Sequence, residues 1–497
     1  MSIDPRTPVL VGVGQVTNRQ GDLVDPITLA AEATRLALAD AGGRLTPDTL
    51  AMPGVLAPRT EHPSRRLAAA LGIPARRHLS STIGGNTPQW LVGVLGTDIL
   101  EGRCDVALIA GAEAGSSARQ ARKQGAPPEV ALDADGEDTE IGDQRIGASA
   151  EEMAAGLAPP PFLYPILESA VAHRAGRTLD EQRRFLGRFM APATAVAARH
   201  PDLSWFPEAA TPEELSEPNP TNRMIAEPYT KRMNAIIEVD QAAALVLCSV
   251  QAAERAGVPR DRWVFPLGVA DLNDVFFPVQ RPELHRSPAI ETAGAALFDA
   301  VGCGLDDVSR FDFYSCFPVA VEISATALGL DLADERPLTV TGGHAYFGGP
   351  GNNYTTHSIA TMAAELRSDP GAVGLTTGLG WYVTKHSLGL WSTTPPERGF
   401  ATPDLRDAQA AIDATAIAPA GPQAQGPASV DGWTVIHDRD MGPAAVVAYA
   451  TTDDGTRAVV RRDEPALAAE LSGGQLVGSR IVVEPSPDGK GTPGFSV

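Results

Sequence analysis

A thiol, a histidine and three tyrosines lie in or just before one glycine-rich stretch of the sequence. Cys316 could act as a nucleophile and His357 as a general base, because a thiol attacks as the thiolate that a nearby base helps to form. A phenol can donate a proton in aldol chemistry, which makes Tyr314, Tyr346 and Tyr354 candidates. For each of these side chains the alternative is packing in the core.

The glycine-rich stretch itself predicts a strand, a tight turn and a helix. Thr339–Thr341 is β-branched and predicts a short strand, and a helix is predicted to open at about Asn353. The glycines between them allow positive φ angles and close backbone approach. Free amides at such a helix start favour an anion or a developing oxyanion. The alternative is a turn without chemistry.

The same pattern occurs twice in the chain. Asn86 lies in a glycine turn 20 residues before the apolar strand that starts at Val106, and Asn352 lies 20 residues before Ala372. A strand, a helix and a second strand surround each turn, which indicates an internal repeat. Two such halves packed face to face would bring both glycine turns to one site.

Composition narrows the class of protein. A chain of 497 residues predicts two to four domains, and the net charge of −21 argues against nucleic acid or an anionic membrane surface as the main partner. The four cysteines are widely spaced without a Cys-x-x-Cys pair, which indicates reduced thiols and neither a disulfide framework nor a metal site.

Two further absences point to the cytoplasm and to no bound cofactor. No apolar run reaches the ~18–20 residues of a membrane span, and the N-terminus lacks the pattern of a secretory signal. The strand Val9–Gly14 ends in Gly-x-Gly without the third glycine of a dinucleotide site.

Composition changes along the chain predict five segments. An acidic segment from Asp133 to Asp143 is expected to have little order. The stretch after residue 397 is rich in Ala, Pro, Gln and Gly and indicates a linker. The predicted segments are an N-terminal half of the core (1–115 and 233–267), an inserted loop domain (116–232), a C-terminal half (268–397), a linker (398–429) and a small β-rich domain (430–497).

With these features the first 395 or so residues resemble the thiolase superfamily, most closely its sterol-carrier-type branch. The resemblance implies an α/β fold with a five-layered αβαβα core, a CoA or acyl-CoA ligand and formation or cleavage of a carbon–carbon bond. It also implies a homodimer, unless the added domain covers that surface and leaves a monomer. The last ~70 residues resemble small OB-like domains found with some thiolase-like proteins.

The residues that carry thiolase chemistry are replaced. The nucleophilic cysteine position, counted back from Gly102, is Gly85. Gly349 stands where the family's Gly-His-Pro motif has its histidine, and Gly378 where its Cys-x-Gly motif has the acid–base cysteine. Tyr314 stands at the Asn or His position of the oxyanion motif.

With the catalytic side chains replaced, the groups that could still contact a ligand are backbone amides and a few polar side chains. The amides of Gly85 and Gly380 are expected to form the backbone oxyanion hole. Further candidates for contacts to the ligand are Asn352, Asn353, Lys231 and Arg232. The two cations could meet CoA phosphates, and the alternative is a solvated turn.

Three hypotheses follow. The first is a thiolase-like protein that binds CoA or an acyl-CoA without thiolase activity, because losing a nucleophile or base costs roughly 10⁴- to 10⁶-fold in kcat. The second is an acyltransferase or retro-aldolase that uses tyrosine or histidine. The third is a structural partner that docks another acyl-CoA enzyme through its C-terminal domain.

Overall fold

The computed structural model describes residues 3–19, 21–126 and 135–497. Its strands are β1 (Pro8–Thr17), β2 (Thr49–Met52), β3 (Val55–Leu56), β4 (Arg59–Thr60), β5 (Arg77–Ser81), β6 (Val106–Ala114), β7 (Thr139–Ile141), β8 (Met224–Ala226), β9 (Tyr229–Thr230), β10 (Asp240–Ser249), β11 (Phe265–Asn273), β12 (Val308–Asp312), β13 (Val373–Gly380), β14 (Lys385–Ser392), β15 (Gly426–His437), β16 (Pro443–Thr452), β17 (Arg457–Arg462), β18 (Arg480–Glu484) and β19 (Gly494–Ser496). Its helices are α1 (Pro26–Asp40), α2 (Pro63–Leu71), α3 (Thr87–Leu100), α4 (Gly115–Lys123), α5 (Ala150–Ala154), α6 (Pro160–Arg174), α7 (Leu179–Ala198), α8 (Pro212–Ser216), α9 (Val250–Ala256), α10 (Pro288–Val301), α11 (Pro318–Ala327), α12 (Tyr354–Ser368), α13 (Arg406–Asp413) and α14 (Pro465–Leu471).

Local capping signals set where several helices begin. The side chain of Asp25 accepts hydrogen bonds from the amides of Ile27 and Thr28, and Pro26 occupies the first position of α1. Ser149 and Thr178 close capping boxes at the starts of α5 and α7. These contacts join residues close in sequence, which is why helix starts can be predicted from sequence.

None of the described helices is both long and apolar enough to cross a membrane.

Two sheets enclose the repeated helices. The first sheet has the order β1-β10-β6-β2-β5-β7, and the second has the order β11-β14-β13-β12. Helices α3 and α12 lie between them, and one apolar cluster joins Leu95 of α3, Met362 of α12, Ile109 of the first sheet and Val269 of the second. Residues 354–363 of α12 are all buried, as a central helix requires. Helix α1 packs on the outside of the first sheet and α10 on the outside of the second. The duplicated five-layered core is therefore confirmed.

The acidic segment is more ordered than its composition predicts. Residues 133–134 lie outside the described residues. Thr139–Ile141 forms the edge strand β7, which pairs in parallel with β5. Backbone pairing to an existing sheet edge outweighs the low hydrophobicity of these three residues.

The β-rich C-terminal region packs on the loop domain and does not stand apart from it. Its strand β15 begins at Gly426, inside the predicted linker, and Ile436 of this strand pairs with Ala226 of β8. The amide of Trp433 donates to Ser169 Oγ of α6 at 2.8 Å. The Tyr449 hydroxyl donates to a carboxylate oxygen of the buried Glu152 at 2.6 Å. The β-rich region and the inserted helices thus share one core.

Two buried carboxyl groups join the loop domain to the core. Glu168 of α6 and Glu322 of α11 are hydrogen bonded to each other, and Gln182 Nε2 donates to Glu168 at 2.6 Å. Burial raises the pKa of both carboxyl groups, and the neighbouring Glu168 raises that of Glu322 further. Because two adjacent buried carboxylates cannot both ionise, the pair keeps a proton.

We expect Glu322→Gln to change how stability depends on pH. A carboxyl group with a raised pKa in the folded state stabilises the fold fully below the unfolded pKa and loses this contribution as pH rises. One retained proton gives a slope of about 1.4 kcal/mol per pH unit, which the variant should lack. Urea unfolding at pH 5 and pH 8 measures this. The stability of Glu322→Gln relative to the wild type should increase toward pH 8. Glu32→Gln, at an exposed position of α1, should show the same pH dependence as the wild type. Parallel curves for Glu322→Gln and wild type would contradict the shared proton.

Candidate functional site

The ring of Tyr314 fills the space beside Gly85. A β-carbon built on Gly85 would overlap the Tyr314 hydroxyl and lie 2.6 Å from Cε2 of the ring. Real β-carbons do not approach another atom this closely, so any side chain at position 85 requires Tyr314 to move. The two residues that the sequence places at the nucleophile and oxyanion positions therefore meet in space, and one of them occupies the room of the other.

The other two replaced positions are also closely packed. A β-carbon on Gly378 would lie 2.7 Å from Cα of Asn86, and one on Gly349 would lie 3.1 Å from the carbonyl oxygen of Ile236. Glycine at position 378 lets the end of β13 approach the turn before α3. Glycine at positions 378 and 349 therefore allows close backbone approach, whereas glycine at position 85 leaves room for the Tyr314 ring.

An aromatic stack stands over this site. The His344 ring lies 3.5 Å from the Tyr354 ring and 4.1 Å from the Tyr314 ring, measured between centroids. Burial lowers the pKa of His344 well below its ordinary value, so the ring is neutral. Its Nε2 is buried without a hydrogen-bond partner among the described residues. His344 is part of the turn, and its ring packs against both Tyr314 and Tyr354.

One buried carboxylate holds the turn in place. Oδ2 of Asp312 accepts from the amides of Val340 at 2.9 Å and Thr341 at 3.1 Å, and from the hydroxyl groups of Thr339 and Thr341. These amides point to a side chain instead of a neighbouring strand, so the prediction of a strand over Thr339–Thr341 is wrong. Asp312 Oδ1 receives a further bond, of 3.1 Å, from the Tyr354 hydroxyl.

The amides in the middle of the turn are used within the protein, and the anion site expected at the helix start stays a prediction. Residues 341–350 are all buried. The amides of Gly342 and Gly343 donate to the hydroxyl groups of Thr339 and Thr341, and the amide of His344 donates to Ser315 Oγ. The turn satisfies these donors internally, so it offers them to no ligand.

Three candidate side chains are packed or hydrogen bonded in the interior. The Tyr354 hydroxyl bonds with Thr341 Oγ1 at 2.6 Å, and burial raises its pKa. His357 Nδ1 lies 2.8 Å from Gln15 Oε1, and burial lowers the pKa of the imidazole to about 3. The Cys316 thiol lies 3.2 Å from the Tyr164 hydroxyl, and burial raises its pKa to about 12. These environments favour packing over base or nucleophile chemistry.

Tyr314 differs from the other tyrosines of the cluster. Its amide donates to Thr377 Oγ1 at 2.8 Å, which fixes the backbone, while its hydroxyl has no hydrogen-bond partner in the described ranges. Burial raises the pKa of the phenol well above its usual value, so it stays protonated and can donate. The Tyr346 hydroxyl also lacks a partner there, but it is fully enclosed.

The two asparagines join the halves of the core. Asn352 accepts from the amide of Gly84 at 2.9 Å and donates to the carbonyl of Gly54 at 2.7 Å. Asn353 donates to the carbonyl of Gly111 at 2.7 Å. Both side chains therefore bridge the glycine-rich turn to the N-terminal half.

Lys231 and Arg232 lie in a short 3₁₀ turn at the end of the loop domain. Lys231 is exposed, and Arg232 is half-buried near Tyr346, where burial raises the pKa of the phenol and the Arg232 charge offsets only part of this rise. No ion pair neutralises either cation within the described part of the chain.

Lys385 is a site residue that the sequence analysis missed. Its Nζ donates to the carbonyl of Ile83 at 2.6 Å, and its Cε would lie 3.0 Å from a β-carbon on Gly84 or on Gly380. Burial lowers the pKa of the ammonium group. The sequence did contain a signal: a lysine begins the buried strand β14, and lysine is rarely buried unless a partner satisfies its charge.

The amide of Gly85 points to no acceptor among the described residues. Lys385 lies beside Gly380, where the backbone oxyanion site is predicted. A carbonyl oxygen placed there would be polarised without a covalent bond to the protein. The role of Gly85 and Gly380 stays a prediction.

Two facing sheets, paired central helices and a pair of glycine turns at one site define the thiolase fold. The chain is similar to the acetyl-CoA acetyltransferase from Syntrophomonas wolfei at 18% identity, over 78% of this chain and 100% of that one, with a TM-score of 0.57. It is also similar to the Ltp2–ChsH2(DUF35) aldolase at 20% identity, over 78% and 98% of the two chains, with a TM-score of 0.57. At these identities the likeness shows the fold alone.

The family is shown by a closer relative. The chain is 33% identical to a monomeric SCP2-thiolase-like protein type 1 from Mycobacterium smegmatis, over 100% of both chains, with a TM-score of 0.84. Residues 407–490 match the model of the thiolase-like protein type 1 additional C-terminal domain. This chain therefore belongs to the SCP2-thiolase-like protein type 1 family. No curated protein sequence matches it.

Proposed function

We propose that this chain binds CoA or an acyl-CoA thioester without covalent attachment and has no thiolase activity. The observation that carries the proposal is the Tyr314 ring in the space beside Gly85. A thiolase reaction needs a nucleophile at that place to accept the acyl group. Here the place holds a protonated phenol, and the thiol of Cys316 is buried with a raised pKa.

The remaining polar groups suit binding better than bond cleavage. Lys231 and Arg232, at the end of the loop domain, provide positive charge for CoA phosphates. The Gly85 amide and the Lys385 ammonium group provide donors for the thioester carbonyl. In this proposal the ligand is held at both ends, and no side chain attacks it.

Calorimetric titration of the full chain with CoA, acetyl-CoA and acetoacetyl-CoA tests the binding. We expect Lys231→Ala with Arg232→Ala to weaken CoA binding by at least about tenfold, because a hydrogen bond to a charged group is worth about 1.5–3 kcal/mol. Arg35→Ala on the exposed face of α1 is the matched control and should bind like the wild type. Equal affinity in the double variant would remove these cations from the proposal.

A thiolysis assay tests the missing activity. With acetoacetyl-CoA and free CoA the rate should lie roughly 10⁴- to 10⁶-fold below that of a working thiolase. Cleavage at a normal enzyme rate would overturn the proposal.

The Mycobacterium smegmatis relative is monomeric, so light scattering of the same sample should give one 51.9 kDa chain and not a dimer.

The free hydroxyl of Tyr314 favours a second candidate function. In a retro-aldol cleavage of a β-hydroxyacyl-CoA, the β-hydroxyl would lose its proton to solvent as the bond between the α- and β-carbons breaks and an aldehyde leaves. The protonated phenol can then act as the general acid that returns a proton to the α-carbon of the acyl-CoA enolate. If so, Tyr314→Phe should lower the turnover of such substrates by about 10²- to 10⁴-fold while leaving their binding unchanged. A panel of β-hydroxyacyl-CoAs that the wild type leaves intact would count against it. Docking of a partner enzyme through residues 430–497 stays a prediction.

A further inference from the structure

An apolar cavity lies on the far side of Ser315 from the site. It has a volume of about 370 Å³ and is lined by helix α7, helix α11 and the segment 332–339. That volume lies within the range of small-molecule sites. Its walls are mostly hydrophobic and include Phe189, Met190, Val196, Phe313, Val321 and Leu338.

The polar groups in the walls are already used within the protein. Thr339 Oγ1 donates to Asp312 at 2.8 Å, and Ser315 Oγ accepts from the amide of His344 at 3.3 Å. No buried side-chain polar atom of the lining residues lacks a partner in the described ranges. A polar ligand would therefore lose its hydrogen bonds to water without gaining new ones, which disfavours it.

Charge at the mouth is balanced. Arg188 and Arg336 stand against Asp334 and Glu335, and Arg336 is held by Asp334 at 2.7 Å and by the carbonyl oxygen of Val308 at 2.6 Å. Two charges of each sign give no net attraction for an anionic or cationic ligand. Apolar contact is therefore the main interaction that this cavity can offer.

We propose that this cavity binds the hydrocarbon chain of a small lipid, whose head group stays in solvent at the mouth. Each buried methylene should raise the affinity about fourfold until the cavity is full. A charged head group should change little, because the mouth has no net charge. This site is separate from the thioester site and does not depend on the proposed CoA binding.

Calorimetry with the full chain and the series 1-hexanol, 1-octanol and 1-decanol tests the proposal. Affinity should rise with chain length as stated, and triethylene glycol monomethyl ether, a polar chain of similar length, should not bind. No binding of 1-decanol, or equal binding of the polar chain, would overturn the proposal.

Two tryptophan variants on one helix place the ligand. Ala193 lines the cavity, whereas Ala195 is exposed and does not. Ala193→Trp should weaken 1-decanol binding at least tenfold, and Ala195→Trp should bind like the wild type. If Ala193→Trp does not fold, Leu338→Trp fills the cavity from the opposite wall. Unchanged binding in a folded cavity variant would overturn the assignment, and so would an equal loss in Ala195→Trp.

Discussion

Gly85→Ala is expected to destabilise the protein by about 3 kcal/mol, at the upper end of the range for overpacked cores. The added methyl group would overlap the Tyr314 hydroxyl, and the ring has little room to withdraw. Its backbone is fixed by Thr377 and its other face contacts His344. Urea unfolding at a fixed pH measures the loss.

The same substitution should cost little once the ring is shortened. Leucine at position 314 does not reach Gly85, so Gly85→Ala in the Tyr314→Leu background should cost less than about 1 kcal/mol. The double-mutant cycle should then give a coupling of about 2 kcal/mol, within the range for residues in contact. Gly421→Ala is the control glycine, since its added methyl would meet nothing within 4 Å. Additive costs for Gly85→Ala and Tyr314→Leu would show that the ring does not occupy this space.

This coupling bears on function as well as stability. If Tyr314 holds the space of the missing nucleophile, a cysteine at position 85 alone cannot restore a thiolase, because its side chain would collide with the ring. In the proposed function, the absence of a thiolase nucleophile then depends on both Gly85 and Tyr314. Thiolase chemistry at this place would then need changes at both positions.

Local features of the fold could be predicted from the sequence. Asp25 and Pro26 mark the start of α1 because capping contacts span two or three residues. The spacing from Asn86 to Val106 matches that from Asn352 to Ala372, and the structure places a helix in both intervals and starts a strand at the end of the first and one residue after the second. Patterns of this kind involve residues that are near each other in the sequence, so a single sequence is enough to find them.

Contacts between distant segments could not be predicted in the same way. The β-branched sequence Thr339–Thr341 predicts a strand. The amides of Val340 and Thr341 donate to Asp312 instead of to a neighbouring strand, so no strand forms there. The meeting of Tyr314 with Gly85 depends on how the two halves face each other. Motif alignment named both residues, but it placed them in separate roles and could not show that one fills the room of the other.

The Asp312 contacts lead to the second large effect. Asp312→Ala should destabilise the protein by at least about 4 kcal/mol, because it leaves two buried amides and several hydroxyl groups without an acceptor, at about 1–3 kcal/mol for each unsatisfied group. Asp312→Asn keeps one acceptor oxygen and should cost clearly less. The exposed Asp306→Ala, on the loop before β12, should stay within about 0.5 kcal/mol of the wild type.

Hydrogen exchange can show that the loss begins at the turn. In the wild type the amides of Val340 and Thr341 should be protected, since both donate to a buried carboxylate. In Asp312→Asn they should exchange faster, while amides in the central helix α3 keep their protection. Uniform acceleration across α3 and the turn would mean that Asp312 supports the whole core instead. A local effect would identify this one carboxylate as the group that holds the turn, with His344 and Tyr354, in place beside Tyr314.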